Sequence, residues 1–214
     1  MGRPKTPLLS LDRMASAALE IVDSDGLDGL SMRRLATVLG VQVASLYNHV
    51  KNKDELLHEI GNQIMAQVDV TGFRDGDWRQ GIATWARSYR AALRAHPNMV
   101  PFLATGPGRR ETALARADAV HGGLVAAGWP PRQATLIGAS TKYLVVGAAM
   151  TSFARGFDDD VQIYVDRYPH LGQAHRLRAH ADEIDDESFE LALQAFLDGL
   201  AQRFAELSKA ADKR

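Results

Sequence analysis

The chain has 214 residues, with 25 Lys and Arg against 26 Asp and Glu, so its formal net charge is −1, and it contains no cysteine. Its apolar fraction of 46% and charged fraction of 24% are typical of a folded soluble protein. The lack of cysteine excludes disulfide scaffolds, cysteine-ligated zinc, iron–sulfur clusters and thiol nucleophiles. The near-zero total charge argues against nucleic-acid binding only if the charges are evenly spread, since a phosphate backbone responds to local charge.

The N-terminal segment does not resemble a targeting sequence. Residues 1–14 lack the continuous apolar core and the cleavage site of a signal peptide, which predicts a cytoplasmic protein. The most apolar stretch, residues 133–154, contains Lys142 as its only charge, and a charge in that position is costly in a bilayer. We therefore interpret this stretch as a buried helix of a soluble protein and expect no membrane partner.

Apolar residues recur at spacings of three and four along almost the whole chain, and no convincing alternating run is present, so the sequence predicts an all-α fold. The segment 156–187 is expected to be irregular and acidic. The predicted helices span about residues 11–24, 32–38, 42–49, 53–65, 78–95, 111–127, 132–155 and 188–207, with a short piece at 99–103.

Local signals predict where the N-terminal helices begin and end. Ser31 is a suitable N-cap for the second helix, and Gly40 is suited to end it in a left-handed conformation. Asn52 is the predicted N-cap of the fourth helix, and Glu55 three residues later completes a pattern like a capping box.

The segment 31–53, SMRRLATVLGVQVASLYNHVKNK, carries the strongest functional signal. Two short helices meet at Gly40, and the small residue Ala36 four positions earlier allows them to approach closely, which is helix-turn-helix spacing. Residues 2–5 add a basic arm that can reach a minor groove. The local charge of segment 31–53 is +4, because it contains no Asp or Glu and four cations, Arg33, Arg34, Lys51 and Lys53.

These residues resemble a known family. The run 46–53, LYNHVKNK, is similar to the recognition-helix signature of TetR-type transcriptional regulators, and residues 29–41 are similar to the second helix of that family. The resemblance implies an N-terminal arm and three-helix helix-turn-helix domain over residues 1–52, a linking helix and loop over 53–77, and an effector-binding and dimerisation domain over 78–214. Similarity to the tetracycline repressor subgroup extends to Trp78, residues 88–93, His96, Thr105, Pro107 and Gly128-Trp129.

In such regulators the third helix lies in the major groove of operator DNA. Gln42 suits a bidentate hydrogen bond to adenine, and Val43 and Ala44 suit contacts with thymine methyl groups. Arg33 matches a position that can reach a guanine, and Lys53 one that can grip a phosphate. The resemblance therefore implies the following DNA-contacting residues: Ser31, Arg33, Gln42, Val43, Ala44, Ser45, Tyr47, His49 and Lys53.

The C-terminal half predicts a homodimer. Residues 133–154 are apolar nearly all round a helix, and the last helix has a broad apolar stripe, which is more than one core can cover. Pairing both helices with their symmetry mates gives a four-helix bundle that suits a pseudo-palindromic operator, while the alternative is burial within one monomer. The predicted interface residues are Leu136, Val146, Met150, Phe153, Phe196, Leu200 and Phe204.

The middle helices are expected to enclose a small-molecule effector, although the same residue types also build ordinary cores. Phe102 stands where tetracycline repressors carry a metal-coordinating histidine. We therefore expect no metal and no cofactor, and an uncharged aromatic or polyketide-like ligand. The predicted pocket residues are Trp85, Tyr89, His96, Met99, Phe102, His121 and Tyr143.

No pattern in the sequence predicts an enzyme or a catalytic residue. His170, His175 and His180 recur every five residues, a spacing that spreads them around a helix instead of gathering them on one face. The sequence predicts a ligand-responsive repressor that binds double-stranded operator DNA as a homodimer. Two alternatives stay open: a helical small-molecule or partner-binding protein without specific DNA binding, and an activator with the same fold.

Overall fold

A computed structural model describes residues 9–74, 77–105, 111–165 and 167–211. Over these ranges the chain is helical or irregular and contains no strand, which confirms the all-α prediction. The basic arm at residues 2–5, Pro107 and most of the break at 105–110 lie outside the described residues. The α-helices are α1 Leu11–Gly29, α2 Met32–Leu39, α3 Val43–Leu46, α4 Lys53–Met65, α5 Trp78–Ala95, α6 Val100–Ala104, α7 Glu111–Ala126, α8 Pro131–Met150 and α9 Ala181–Ala211.

The chain divides into two compact units. The first unit comprises Met1–Asp69 and Ala91–Ala117, and the second comprises Val70–Arg90 and Asp118–Arg214. Helices α5 and α7 therefore each contribute residues to both units.

The predicted caps are present in the first unit. The Ser31 hydroxyl accepts the Arg34 N–H at 3.2 Å, and the Asn52 side-chain oxygen accepts the Glu55 N–H at 2.8 Å. The capping box differs from the prediction, because the Glu55 carboxylate accepts the N–H of Lys51, one residue before the N-cap. Helix α1 also runs further than predicted: Gly26 interrupts it at φ 74°, and the helical path then resumes to Gly29.

The core of the first unit forms where α1 packs against α4 and against the 3₁₀ turn Pro97–Met99. Side chains on both helices are almost fully buried, including Met14, Val22, Leu56, Ile60 and Ile64. The Asn98 amide donates to the carbonyls of Val22 and Asp23 at 2.9 and 3.0 Å, and the Asp23 carboxylate lies 2.9 Å from His96 Nδ1. Polar contacts thus fasten the turn after α5 to α1.

In the second unit, α8 packs on α9, and three arginines of α5 pair with carboxylates of α9. The Arg87–Glu190 pair is bidentate, with nitrogen–oxygen distances of 2.7 and 3.0 Å. Arg90, whose side chain is 9% exposed, donates to Asp186 at 2.8 Å and lies 4.6 Å from the centre of the Phe189 ring. The third pair joins Arg79 to Asp198.

The ends of α8 and α9 differ from the prediction. Helix α8 ends at Met150, because Thr151 is extended, and α9 begins at Ala181, in a segment predicted to be irregular. By length and composition the segment Pro131–Gly156 could cross a bilayer, since an 18-residue window within it has a mean hydropathy of 1.2; 17% of that window is buried. The interpretation of α8 as a buried helix is therefore wrong for this chain alone. Only one stripe faces the unit's own core, and it consists of Ala134, Ile137, Thr141 and Val145.

Candidate DNA interface and effector site

The turn between α2 and α3 is fixed by its backbone. Gly40 has φ 66°, a left-handed conformation that glycine adopts without steric cost. Its N–H donates to the Thr37 carbonyl at 3.2 Å, and the Val41 N–H donates to the Ala36 carbonyl at 3.0 Å. This pair of bonds is a Schellman motif, which ends α2 and sets the direction of the chain into α3.

Helix α3 is shorter than predicted, because it ends at Leu46 and Tyr47–His49 form a turn. Leu46 is 0% exposed and Val50 is 3% exposed, so these two buried side chains anchor the segment. Tyr47 is 51% exposed. Of the other predicted contact residues, Arg33, Gln42, Ala44 and His49 are exposed and Val43 and Ser45 are half-buried.

Some cations of the basic segment are already engaged within the first unit. Arg34 forms an ion pair with Asp25, and hydrogen bonds from Ser24 and Arg34 lower the pKa of the Asp25 carboxyl. The Lys53 ammonium donates to the Leu27 carbonyl at 2.7 Å. The local charge counted along the sequence is therefore partly compensated by the end of α1.

Two predicted DNA contacts, Ser31 and Lys53, thus have structural partners in this conformation. The Ser31 hydroxyl caps α2, and the Lys53 ammonium binds the α1 backbone. Their roles toward DNA stay predictions, as do those of the other seven residues.

The predicted effector residues fall in both units. In the second unit, the rings of Trp85 and Tyr89 stack at 6.3 Å between centroids and 22° between planes, and each residue is 8% exposed. His121 is half-buried, with Nε2 lying 3.2 Å from the Pro131 carbonyl oxygen. Tyr143 is 74% exposed, so it lies on the surface of this unit.

In the first unit the remaining predicted effector residues have partners of their own. His96 contacts Asp23, Met99 is 0% exposed, and the Phe102 ring lies 5.2 Å from that of His58. These contacts make Met99 part of the core of the first unit.

The predicted dimer residues separate into two groups. Leu136, Met150 and Phe153 are 51%, 58% and 71% exposed, and Val146 and Phe196 are half-buried. Leu200 is 7% exposed, and the Phe204 ring packs on Trp78 and Trp129 at 5.7 and 4.9 Å. Phe204 and Leu200 thus pack mainly within their own unit.

An open, mostly apolar groove of about 360 Å³ lies along α8 and the start of α9, and most of its lining was not predicted. The i+4 spacing of Ala181, Asp185 and Phe189 is the signal that α9 begins earlier and supplies one wall. The lining residues are Tyr143, Leu144, Gly147, Ala148, Thr151, Phe153, Asp185, Ser188, Phe189 and Ala192.

Within the described ranges, no three His, Asp or Glu side chains come together in a way that could hold a metal ion. His180 lies 3.5 Å from Glu183, and both side chains are more than 60% exposed. The histidines at 170, 175 and 180 therefore form no metal cluster in the part of the chain that the structure describes.

Comparisons with known proteins agree with this arrangement. The family described as "Bacterial regulatory proteins, tetR family" matches residues 15–60, and "Tetracyclin repressor-like, C-terminal domain" matches residues 73–204. The class A tetracycline repressor from transposon 1721 of Escherichia coli is 34% identical over 194 residues, which cover 87% of this chain and 88% of that protein.

Two actinomycete proteins are also similar. An HTH-type transcriptional regulator of Saccharopolyspora erythraea is 34% identical over 66% of this chain, and the match spans only 60% of that protein. The crystal structure of the Streptomyces coelicolor TetR family protein ActR in complex with actinorhodin has a TM-score of 0.71 and 28% identity, covering 92% of this chain and 98% of that one. The chain therefore belongs to the TetR family of ligand-responsive, DNA-binding transcriptional regulators, in its tetracycline-repressor-like subgroup.

Proposed function

We propose that this protein is a cytoplasmic homodimeric repressor that binds a pseudo-palindromic operator and is released by a neutral aromatic effector. The observation that carries the proposal is the exposure of Gln42, Ala44, Tyr47 and His49 above the buried anchor Leu46. An anchored segment of this kind presents its outward side chains to base edges and phosphates at little conformational cost.

Three exposed apolar residues on α8 support the dimer. Leu136, Tyr143 and Met150 are separated by seven residues, so they share one face of the helix, and each is more than half exposed. An exposed apolar stripe of this length is typical of an interface. A two-fold dimer places two reading surfaces about one DNA turn apart, roughly 34–36 Å, which matches two operator half-sites.

The dimer proposal has a matched test. Leu136 on α8 and Leu114 on α7 are 51% and 50% exposed, so a charge introduced at either site meets similar solvent. We expect Leu136→Glu to produce monomers at micromolar concentration in analytical ultracentrifugation, while Leu114→Glu stays dimeric. A dimeric Leu136→Glu variant would contradict the proposed interface.

The aromatic effector is supported by two features. The Trp85–Tyr89 stack places two aromatic rings in the second unit, and the sequence resemblance puts Phe102 where tetracycline repressors carry a metal-coordinating histidine. ActR, which is similar along most of its length, is described in complex with actinorhodin. Thermal stabilisation by polyketide-like ligands should therefore be the same with and without Mg²⁺, and stabilisation only with Mg²⁺ would contradict this assignment.

Release requires the effector to favour a conformation that binds DNA less well. Helices α5 and α7 contribute residues to both units. In the first unit, residues on α7 and just after α5 contact α1 and α4. The Asn98 amide after α5 binds carbonyls of α1, and Arg116 of α7 donates to the Met65 carbonyl of α4. We propose that a shift of α5 or α7 on effector binding moves α1 and α4 through these contacts.

Footprinting on the DNA upstream of the protein's own gene, with and without candidate ligands, tests the whole proposal. We expect a protected pseudo-palindrome at low salt, a log affinity that falls linearly with log salt, and loss of protection with effector. Absence of specific protection, or an affinity independent of salt, would favour a ligand-binding protein without DNA function. Specific protection together with higher transcription of the downstream gene would favour an activator.

A further inference from the structure

Two cations bind the same short segment at the end of α1. Gly26 has φ 74°, and the helical path beyond this kink ends at Gly29. The Lys53 ammonium donates to the Leu27 carbonyl at 2.7 Å. Arg34 Nη1 donates to the Gly29 carbonyl at 3.3 Å. Carbonyls in the last turn of a helix lack intrahelical partners and carry partial negative charge, so the end of α1 attracts both side chains.

Asp25 lies on the other side of the kink and completes the contacts of Arg34. Its carboxylate forms an ion pair with the Arg34 guanidinium and accepts the Ser24 hydroxyl at 3.0 Å. Arg34 thus joins a carboxylate before Gly26 to a carbonyl after it. Gly29 permits this arrangement, because an added Cβ there would lie 2.5 Å from the Asp25 Cβ. A planar guanidinium can bridge two such acceptors, whereas the compact ammonium of a lysine is less suited to this geometry.

The two cations belong to the helices on either side of α3. Arg34 is the third residue of α2, and Lys53 is the first residue of α4. Ser31 and Arg33, two of the predicted DNA contacts, flank Arg34 in the first turn of α2. Reading base edges requires a defined register on the duplex, whereas non-specific binding depends on the phosphate charge alone. Contacts that fix the first turn of α2 therefore matter more for operator DNA than for non-specific DNA.

We propose that Asp25 is a positioning residue for operator recognition, which fixes the first turn of α2 through the Arg34 guanidinium and does not itself bind DNA. The proposal rests on the proposed function, because it takes the α2–α3 surface to bind operator DNA. Loss of Asp25 then has an effect opposite to that expected from charge alone. Removal of an acidic side chain from a DNA-binding unit should strengthen DNA binding by electrostatics, whereas removal of a positioning residue weakens operator binding.

The test compares two acidic residues at the same end of α1. Asp25→Asn and Asp28→Asn each remove one negative charge, but the exposed Asp28 side chain has no ion pair or hydrogen bond within the described residues. Fluorescence anisotropy measures binding to a labelled duplex of the segment protected upstream of the protein's own gene, and to a scrambled duplex of the same composition. We expect Asp25→Asn to weaken operator binding by about threefold to fivefold, with little change on scrambled DNA. Asp28→Asn should bind both duplexes as tightly as the wild type or more tightly.

Arg34→Lys changes the geometry of the contact without changing the charge. We expect a loss of operator affinity similar to that of Asp25→Asn, because the ammonium does not bridge the carboxylate and the carbonyl. The slope of log affinity against log salt should equal that of the wild type, since no phosphate contact is removed. Circular dichroism and thermal unfolding confirm that each variant is folded at the assay temperature. If Asp25→Asn is unfolded there, the result for Arg34→Lys decides.

The outcomes separate this inference from the proposed function. An Asp25→Asn variant that binds operator as tightly as Asp28→Asn overturns the inference, because charge alone then accounts for both. Wild-type affinity in Arg34→Lys overturns it too, as does an equal loss of affinity on operator and scrambled DNA. Absence of a protected segment, or wild-type protein that does not distinguish the two duplexes, contradicts the proposed function and this inference together. Wild-type discrimination that survives Asp25→Asn overturns this inference alone.

Discussion

The α2–α3 surface of the first unit and the α5–α9 contact of the second unit use their side chains in opposite ways. Beneath α3, fully buried apolar residues such as Leu46 hold the segment, and the outward side chains of Gln42 and Tyr47 are solvent-exposed. Between α5 and α9, the side chains of Arg79, Arg87 and Arg90 form ion pairs with carboxylates of the same unit. Because apolar burial supplies the stability of the first surface, its polar side chains are available to an external partner.

The largest effect should come from removing the anchor. Leu46→Ala deletes a side chain that is 0% exposed, and a cavity of this kind costs about 2–5 kcal/mol. Urea unfolding should therefore show a clearly lower midpoint, together with loss of operator binding. A change in stability below about 1 kcal/mol would mean that the segment below α3 can collapse onto the vacancy and is not a rigid anchor.

The second-largest effect should be on operator binding, with little effect on the stability of the fold. Tyr47→Ala removes an aromatic side chain that is 51% exposed, so we expect a weakening of operator binding of about tenfold or more with little change in the melting temperature. Tyr168→Ala is the matched control, since Tyr168 is 46% exposed and lies in the other unit. If Tyr47→Ala unfolds the protein, Tyr47 belongs to the core and not to the reading surface.

Substitutions of Lys53 and Lys51 test whether each cation of the basic segment contributes to stability or to DNA binding. The Lys53 ammonium binds the Leu27 carbonyl, so Lys53→Ala should lower stability by about 1 kcal/mol in urea unfolding. Lys51 is exposed, and its side chain has no partner within the described residues. Lys51→Ala should leave stability unchanged and reduce the slope of log affinity against log salt by about one. Equal stabilities for the two variants would contradict the structural role of Lys53.

These cases show which parts of the molecule the sequence could predict. Ser31, Gly40 and Asn52 were predictable because capping and left-handed turns depend on neighbours three or four residues away. The Lys53–Leu27 bond joins residues 26 positions apart, and the Arg87–Glu190 pair joins residues 103 apart. Such contacts are created by tertiary packing, so spacing along the chain does not reveal them.

The apolar stripes show the same limit in another form. Periodicity predicted that α8 and α9 have more apolar surface than one core needs. It could not show which of these residues pack within the unit and which stay exposed. Phe204 packs on Trp78 and Trp129 within its unit, whereas Met150 is 58% exposed. Trp78 precedes Phe204 by more than 120 residues, and only the packed fold shows which apolar side of each helix faces its own unit.

The smallest predicted effect tests the ion pairs of the second unit through pH. A hydrogen bond from Arg87 holds the pKa of Glu190 below its ordinary value of 4.5, and the same contact raises the pKa of Arg87. The stabilisation by Glu190 is therefore fully present above pH 4.5 and is lost as the pH falls through the lower, folded-state pKa. Because both side chains are about half exposed, solvent screening limits the contribution to about 0.2–1 kcal/mol.

Glu190→Gln should therefore lower the free energy of unfolding slightly at pH 7 and make it less dependent on pH below 4.5, as measured by urea unfolding at a series of pH values. Glu187→Gln on the same helix is the control, because the Glu187 carboxylate forms no ion pair within the described chain. Identical pH profiles for Glu190→Gln and the wild type would show that the Arg87–Glu190 pair does not stabilise the contact between α5 and α9. In that case the Arg87 guanidinium, which is 52% exposed, would be as available to an external partner as the polar side chains around α3.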